Sequence, residues 1–396
     1  MNDTLSSTGR MRVSPDGAAA RIFLSFLATA GLFYANIMPA IVDGLIGGLG
    51  FTPREAGFVG SANVYGAACG ALIVVFLIRR IHWRPTAYGL LAGLISMDLL
   101  SMLVAVPEIM IPTRFLHGMI GGALVGIAFA VIARASKPDR TFGVLLVVQF
   151  GLGGLGNLYL PRLVPVFGTD ALFLALIAFS LVTLAMLPFL AEYRPRAANA
   201  ASTIDGKGIA VVPLALTLLA IFLFQAANMG LFAFIIGLAR QATLELGFIT
   251  WTLALSGWIG IVGALMVVGL HTRLGRTGPL AIALVVTVIG FWALHFSADE
   301  TVFLIANGAM GITWAFVIPY LLGLAAEFDL TGQMAALGGF ASKMGLASGP
   351  LVAGMLLGPG ENYGLLINVG IAVLLASMVA GVMPALRQDR LARNGG

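Results

Sequence analysis

Residues 109–133 read IMIPTRFLHGMIGGALVGIAFAVIA, and only Arg114 and His117 among them can carry a charge. Wound as an α-helix at 1.5 Å per residue, the stretch measures about 37 Å. That is enough to cross a hydrocarbon layer about 30 Å thick. A surface helix of a soluble domain shows a polar face opposite its apolar one, and this stretch has none. Its small residues Gly118, Gly121, Gly122 and Gly126 are the kind that let helices approach closely in lipid. The segment reads as a membrane span, and the rest of the chain repeats its pattern.

Hydrophobic residues make up 59% of the 396 and charged residues 10%, against ~25% charged in soluble domains. Apolar runs bounded by charge or turn signals fall at about 22–47, 53–78, 86–106, 109–133, 141–161 and 170–191. They resume at about 209–237, 246–270, 279–297, 301–325, 333–357 and 362–385. In lipid, such runs satisfy their backbone as helices. The expectation is an all-α integral membrane protein of twelve transmembrane helices. The polar interval 192–208 holds Glu192, Arg194, Arg196, Asp205 and Lys207. It separates a six-helix bundle at 22–191 from a second at 209–385. An N-terminal segment, 1–21, and a C-terminal tail, 386–396, flank them.

With the N-terminus inside, the inner segments hold 17 of the 22 Lys and Arg residues. The outer segments hold three, Arg54, Arg162 and Arg240, while Arg114 and Lys343 lie within spans. The positive-inside rule then places both termini and the central loop in the cytoplasm of a multi-pass cell (inner) membrane protein. Arg10, Arg12 and Arg21 resemble the flank of a signal peptide, but the run behind them is too long for one and reads as a retained helix. Cys69, the single cysteine, excludes an intramolecular disulfide; its small neighbours suggest a buried packing thiol. The bases lie in loops on one side, which argues against nucleic acid as the partner of the net charge of +5. His82, His117, His271 and His295 are not paired at ligand spacing, so no metal and no cofactor are expected.

Local motifs narrow the class. Between spans two and three stands Arg79-Arg80-Ile81-His82-Trp83-Arg84-Pro85, and in the second half Thr272-Arg273-Leu274-Gly275-Arg276-Thr277. Span four carries Arg114-Phe115-Leu116-His117-Gly118, and span eleven reads GLASGPLVAG over 345–354. Two six-span halves with these motifs resemble the major facilitator superfamily over nearly the whole chain. The Arg-x-x-x-Gly of span four is the more specific match, because an arginine in a span is costly, about 2.5–3.5 kcal/mol on insertion scales. The chain departs from the family turn Asp-Arg-x-Gly-Arg-Arg by lacking the acid in both halves. The latch that the turn forms is therefore expected to be weak or differently built. The Gly-Pro element resembles one that antiporters of the family carry in span five, where this chain reads GLGGLG over 151–156 without proline. That glycine run lacks the strand and acid of a dinucleotide fingerprint and suits close helix packing.

Ionisable residues inside spans are few: Asp98, Arg114, His117 and Lys343. Asp43, Glu55 and Glu108 fall near outer span ends. Asp98 and Arg114 lie at similar depth on neighbouring antiparallel spans and are expected to face each other. Two readings of the pair stay open, a static ion pair and a site protonated during a cycle, with His117 able to share the proton. Lys343 lies near the midplane with no acid in any span of its half; the leading expectation is an anchor for a substrate anion, with a proton carrier or an uninvolved cavity lysine as the alternatives. Tyr34, Asn36, Gln149, Asn157, Gln225, Asn228, Ser256, Asn307, Trp251, Trp258, Trp314 and Tyr320 are candidates to line the same cavity, and Arg114 and His117 are expected to reach the substrate there as well. The resemblance implies alternating access, with the halves rocking about a midplane site.

The leading expectation is a secondary active transporter of a small organic anion rather than an enzyme, working as a monomer with protons as the coupling ion. A proton-coupled multidrug efflux antiporter is the alternative, and a non-transporting receptor or scaffold a remote one.

Overall fold

A computed structural model describes residues 12–78, 80–193, 211–270, 275–328, 333–358 and 360–394. Arg10, Arg79, Arg194, Arg196, Lys207 and Arg273, with most of the expected central loop, lie outside the described residues. Among the described residues the regular structure is helical, and 11 helices are long and apolar enough to cross a membrane. The helix Trp83–Met102 is 20 residues long but falls short of those 11 in apolar character, since it carries Arg84 and Asp98. It completes the twelve spans.

Span one is two helices, Ala18–Asn36 and Met38–Leu49, hinged at Ile37. Pro39, in the first turn of the second piece, has no N–H to continue the ladder. The Asn157 side chain donates to the Asn36 carbonyl at the break, at 3.0 Å. Span seven repeats the device, Val211–Ala233 then Ile235–Gln241, hinged at Phe234. The same irregularity in matching spans expresses the pseudo-symmetry of the two halves. The remaining spans are Pro53–Leu77, Pro107–Ile132, Pro138–Phe167 and Asp170–Met186 in the first half. In the second they are Leu246–Leu270, Thr277–Ala293, Glu300–Glu327, Gln333–Leu357 and Tyr363–Asn394.

Close backbone approach holds span two against span four. A Cβ added at Gly66, Gly70, Gly118 or Gly122 would overlap a carbonyl oxygen of the facing helix, those of Phe115, Met119, Asn63 and Ala67 respectively. Without a hydrophobic drive between helices in lipid, dispersion across such a seam carries much of the association. The GLGGLG run packs in the same way: Gly153 on Asn36, Gly154 under Trp258 and Gly156 on Ile37.

Where the sequence lacks the family's acid, carboxylates from elsewhere supply the charge within each half. Arg84, at the start of span three, bonds the Leu190 and Ala191 carbonyls and pairs with Glu192 at 3.2 Å. In the second half Asp389 accepts from the N–H groups of Arg276 and Thr277 and from the Thr277 hydroxyl, at 2.6–3.2 Å. It caps the N-terminus of span nine, where anionic charge is favoured. Arg276 also pairs with Glu327. Among the described residues, each half clamps its third span to the end of its sixth.

Three expectations are corrected. Residues 386–394 are not a tail, because span twelve continues as helix to Asn394 with Asp389 fixing its end. The first helix begins at Ala18 rather than after residue 21. Cys69 is exposed: its sequence neighbours are small, but on a helix the adjacent positions point elsewhere, and its own faces outward.

Candidate functional site

A cavity of about 360 Å³ lies between the halves. Spans one and five supply Asn36, Gln149 and Asn157; spans seven, eight and ten supply Gln225, Asn228, Ser256, Asn307 and Trp314; span eleven supplies Lys343. Phe150, Phe232 and Phe291 give apolar wall. Among the described lining residues Lys343 is the one charged side chain, and no carboxylate joins it. The polar groups are held by one another. Trp314 Nε1 donates to Gln225 Oε1 at 2.6 Å, and Gln225 Nε2 to Ser342 Oγ at 2.7 Å. Gln149 Nε2 donates to Asn36 Oδ1 at 3.1 Å. Asn36 Nδ2 and Asn157 Oδ1 stay without a partner among the described residues, a donor and an acceptor on the first-half wall.

The face away from the termini is sealed. Arg240 pairs with Asp43 at 3.0 Å across spans seven and one. Arg162 donates to Thr250 Oγ1 at 2.7 Å and to the Gly247 carbonyl at 2.8 Å across spans five and eight. Spans two and eleven close in where Gly354 meets the Pro53 carbonyl. Among the described residues, polar contacts between the halves lie on that far face or at mid-membrane, as with Tyr65 to Ser348 at 2.7 Å and Trp258 to Gly151 at 3.1 Å. Asp43, near the outer end of span one, thus ties the two halves together.

A second polar centre is buried within the first half. Arg114 and Asp98 are both 0% exposed, with Arg114 Nη1 2.8 Å from Asp98 Oδ1. Arg114 Nη2 also donates to Ser101 Oγ and to the Met97 carbonyl. The guanidinium lies 4.8 Å from the Phe173 ring centre and 5.7 Å from that of Tyr34, within cation–π range. His117 Nε2 is 3.3 Å from the same Asp98 oxygen, and its Nδ1 is 2.8 Å from Asn63 Nδ2. With Asn63 Nδ2 as donor, Nδ1 accepts, which leaves Nε2 to carry a proton toward Asp98. Asn63 Nδ2 also meets the Arg114 carbonyl at 3.2 Å. A carboxylate, a guanidinium and an imidazole in contact can neutralise one another, and can also hold or release a proton.

The comparisons settle the family. The chain matches the Major Facilitator Superfamily over residues 22–350. It belongs to that superfamily. No curated protein matches it by sequence. Among solved structures it is similar to the nucleoside transporter NupG, with a TM-score of 0.71 and 13% identity over 92% of this chain and 98% of that one. It is also similar to a bacterial homologue of the human lysosomal transporter Spinster, with a TM-score of 0.67 and 12% identity over 93% and 96%. The human organic anion transporter MFSD10 gives 0.62 and 17% over 93% and 100%. At these identities the likeness is one of fold. The chain is a multi-pass membrane transporter and not an enzyme.

Within this superfamily fold the sequence-derived site residues do not all meet in one place. Lys343, Asn36, Gln149, Gln225, Asn228 and Trp314 line the cavity together. Arg114, His117 and Tyr34 do not; they are drawn into the buried centre, where Arg114 pairs with Asp98. Tyr320 is 6% exposed and stacks on Phe316 at 4.7 Å, inside the second half. Trp258 bridges to span five instead of lining the cavity, and Trp251 is 50% exposed on the outer surface. Depth was legible for these residues, but helix rotation was not. Asn63, Ser101 and Ser342 were missed. An amide amid the small residues of span two was the available signal for Asn63.

Proposed function

We propose that this transporter moves a small organic anion by alternating access, coupled to protons. Lys343 carries the reading: among the described residues it is the one charge lining the cavity and meets no carboxylate there, and a cation at that depth is costly until water or an anion reaches it. Phenyl and indole rings beside amides suit a solute with a short carbon skeleton or ring attached to its acid. The cavity volume sits at the low end of ligand sites, ~300–1,000 Å³, in keeping with a small substrate. A lining without a carboxylate disfavours the cationic-drug exporter.

The sealed far face supports an arrangement open toward the termini. The bias of Lys and Arg toward that side makes it cytoplasmic, in a cell membrane. One chain builds both the cavity and the buried centre, so a monomer suffices. Rocking would release the Arg240–Asp43 and Arg162–Thr250 contacts and close the other side.

Lys343→Ala is expected to fold as well as the parent and to lose affinity for the anion by about 10- to 100-fold, or ~1.4–2.8 kcal/mol. Titration of purified protein with the best acid from a thermal-shift screen of acids, amines and neutral solutes measures it. Unchanged affinity, or a best ligand that is cationic, overturns the anion assignment.

The proton assignment rests on the Asp98–Arg114–His117 centre, reached by Tyr34 from span one, the span that also brings Asn36 to the cavity. In proteoliposomes, substrate flux is expected to respond to an imposed pH gradient and to collapse with a protonophore. Flux that follows sodium or a counter-substrate and ignores pH would make the centre structural.

A further inference from the structure

The end of span twelve carries an exposed surface away from the cavity. Along Tyr363–Asn394 the exposed apolar side chains Leu375, Val379, Met383 and Leu386 recur every three or four residues, one face of a helix. The stripe then runs into Arg387 and Arg390, both exposed, and Leu391, which is 57% exposed. Met383, Leu386, Arg387, Arg390 and Leu391 together line a shallow groove. From Tyr363 to Leu386 the helix covers about 35 Å at 1.5 Å per residue. The arginines therefore emerge just beyond a hydrocarbon core about 30 Å thick, at the depth of the headgroups.

The opposite face of the same turn is tied down. Asp389 caps span nine through the Arg276 and Thr277 N–H groups, so the helix end presents Arg387 and Arg390 in a fixed place. They stand three residues apart, one turn along one face. Neither has an ion-pair partner among the described residues. Two guanidiniums without an ion-pair partner among the described residues, above an apolar groove, match a phosphodiester carried on acyl chains, since guanidinium donors suit phosphate oxygens.

We propose that Arg387 and Arg390 bind the headgroup of an anionic phospholipid, with an acyl chain lying along Val379, Met383 and Leu386. The occupant is a lipid rather than free phosphate because the apolar groove continues the bilayer-facing stripe. Through Asp389 on the same turn, an occupied site steadies the clamp on span nine.

The full chain is to be reconstituted in nanodiscs of phosphatidylcholine, alone or mixed with phosphatidylglycerol, and its apparent melting temperature and retained lipid measured. The parent is expected to melt several degrees higher in the mixture and to retain phosphatidylglycerol. Arg387→Gln/Arg390→Gln is expected to lose most of both effects, while Arg80→Gln, an exposed base on the same face, keeps them. Equal losses in Arg80→Gln would mean a diffuse charge effect and overturn the site. So would a double variant that behaves like the parent, or inorganic phosphate reproducing the shift in phosphatidylcholine.

Discussion

Arg114→Gln is expected to lose about 3–5 kcal/mol of stability, because it strands the fully buried Asp98 carboxylate without its guanidinium. Total stabilities of folded domains are about 5–15 kcal/mol, so much of the variant should fail to reach a folded state. Asp98→Asn should also be harmful, though less so. It leaves Arg114 its bonds to Ser101 and the Met97 carbonyl and its place beside Phe173. The double variant Asp98→Asn/Arg114→Gln should lie closer to the parent than the sum of the singles, since two neutral amides of similar volume can bond each other. Denaturation of the purified variants in detergent measures the coupling. Strict additivity would show that the two side chains do not act as a pair.

That pair shows how far the sequence could be read. Two ionisable residues within apolar runs, counted from span ends, gave matching depth, and depth is a property of one helix. Contact between Asp98 and Arg114 followed because a short connection leaves their spans antiparallel neighbours. The cavity demanded more. Whether Arg114, Tyr34 or Tyr320 faces the central space depends on rotation about each helix axis, which packing against other spans decides. The near-uniform apolarity of a span gives little periodic signal to fix that rotation. Cys69 failed for the same reason, since small sequence neighbours do not make a small spatial neighbourhood.

The missing acids are a second case. The turn between spans two and three holds the bases Arg79, Arg80 and Arg84 and no carboxylate. The charge arrives from the end of span six as Glu192, and in the other half from span twelve as Asp389. Pairing over such separations belongs to the assembled bundle. The hinges were closer to legible: Pro39, two residues past Ile37, marks the break in span one, but Phe234 has no comparable neighbour, and only the pseudo-symmetry of the halves points to it.

Gly118→Val is expected to be among the most damaging changes in the chain that touch no charge. The added Cβ would overlap the Asn63 carbonyl oxygen, a backbone atom that cannot swing aside, so spans two and four must part. Overpacking costs about 1–3 kcal/mol where side chains can adjust, and a backbone obstacle places this change at or above the top of that range. Separation would also pull Asn63 Nδ2 from the Arg114 carbonyl and from His117 Nδ1, 3.2 and 2.8 Å away, loosening the buried centre. The Arg and Gly of Arg-x-x-x-Gly therefore form one unit: Gly118 admits the backbone of span two, and that approach delivers the amide that orients His117 beside Arg114. Gly118→Ala should show a smaller version of the same loss. Asn63→Ala should not relieve it, because the obstructing atom is a carbonyl present in every residue. Gly89→Ala in span three, where a Cβ meets nothing within 4 Å, should be neutral or stabilising by up to about 1 kcal/mol through helix propensity. Thermal denaturation of the purified set decides it: Gly118→Ala as stable as Gly89→Ala would remove the seam from the account of how this bundle holds its charges.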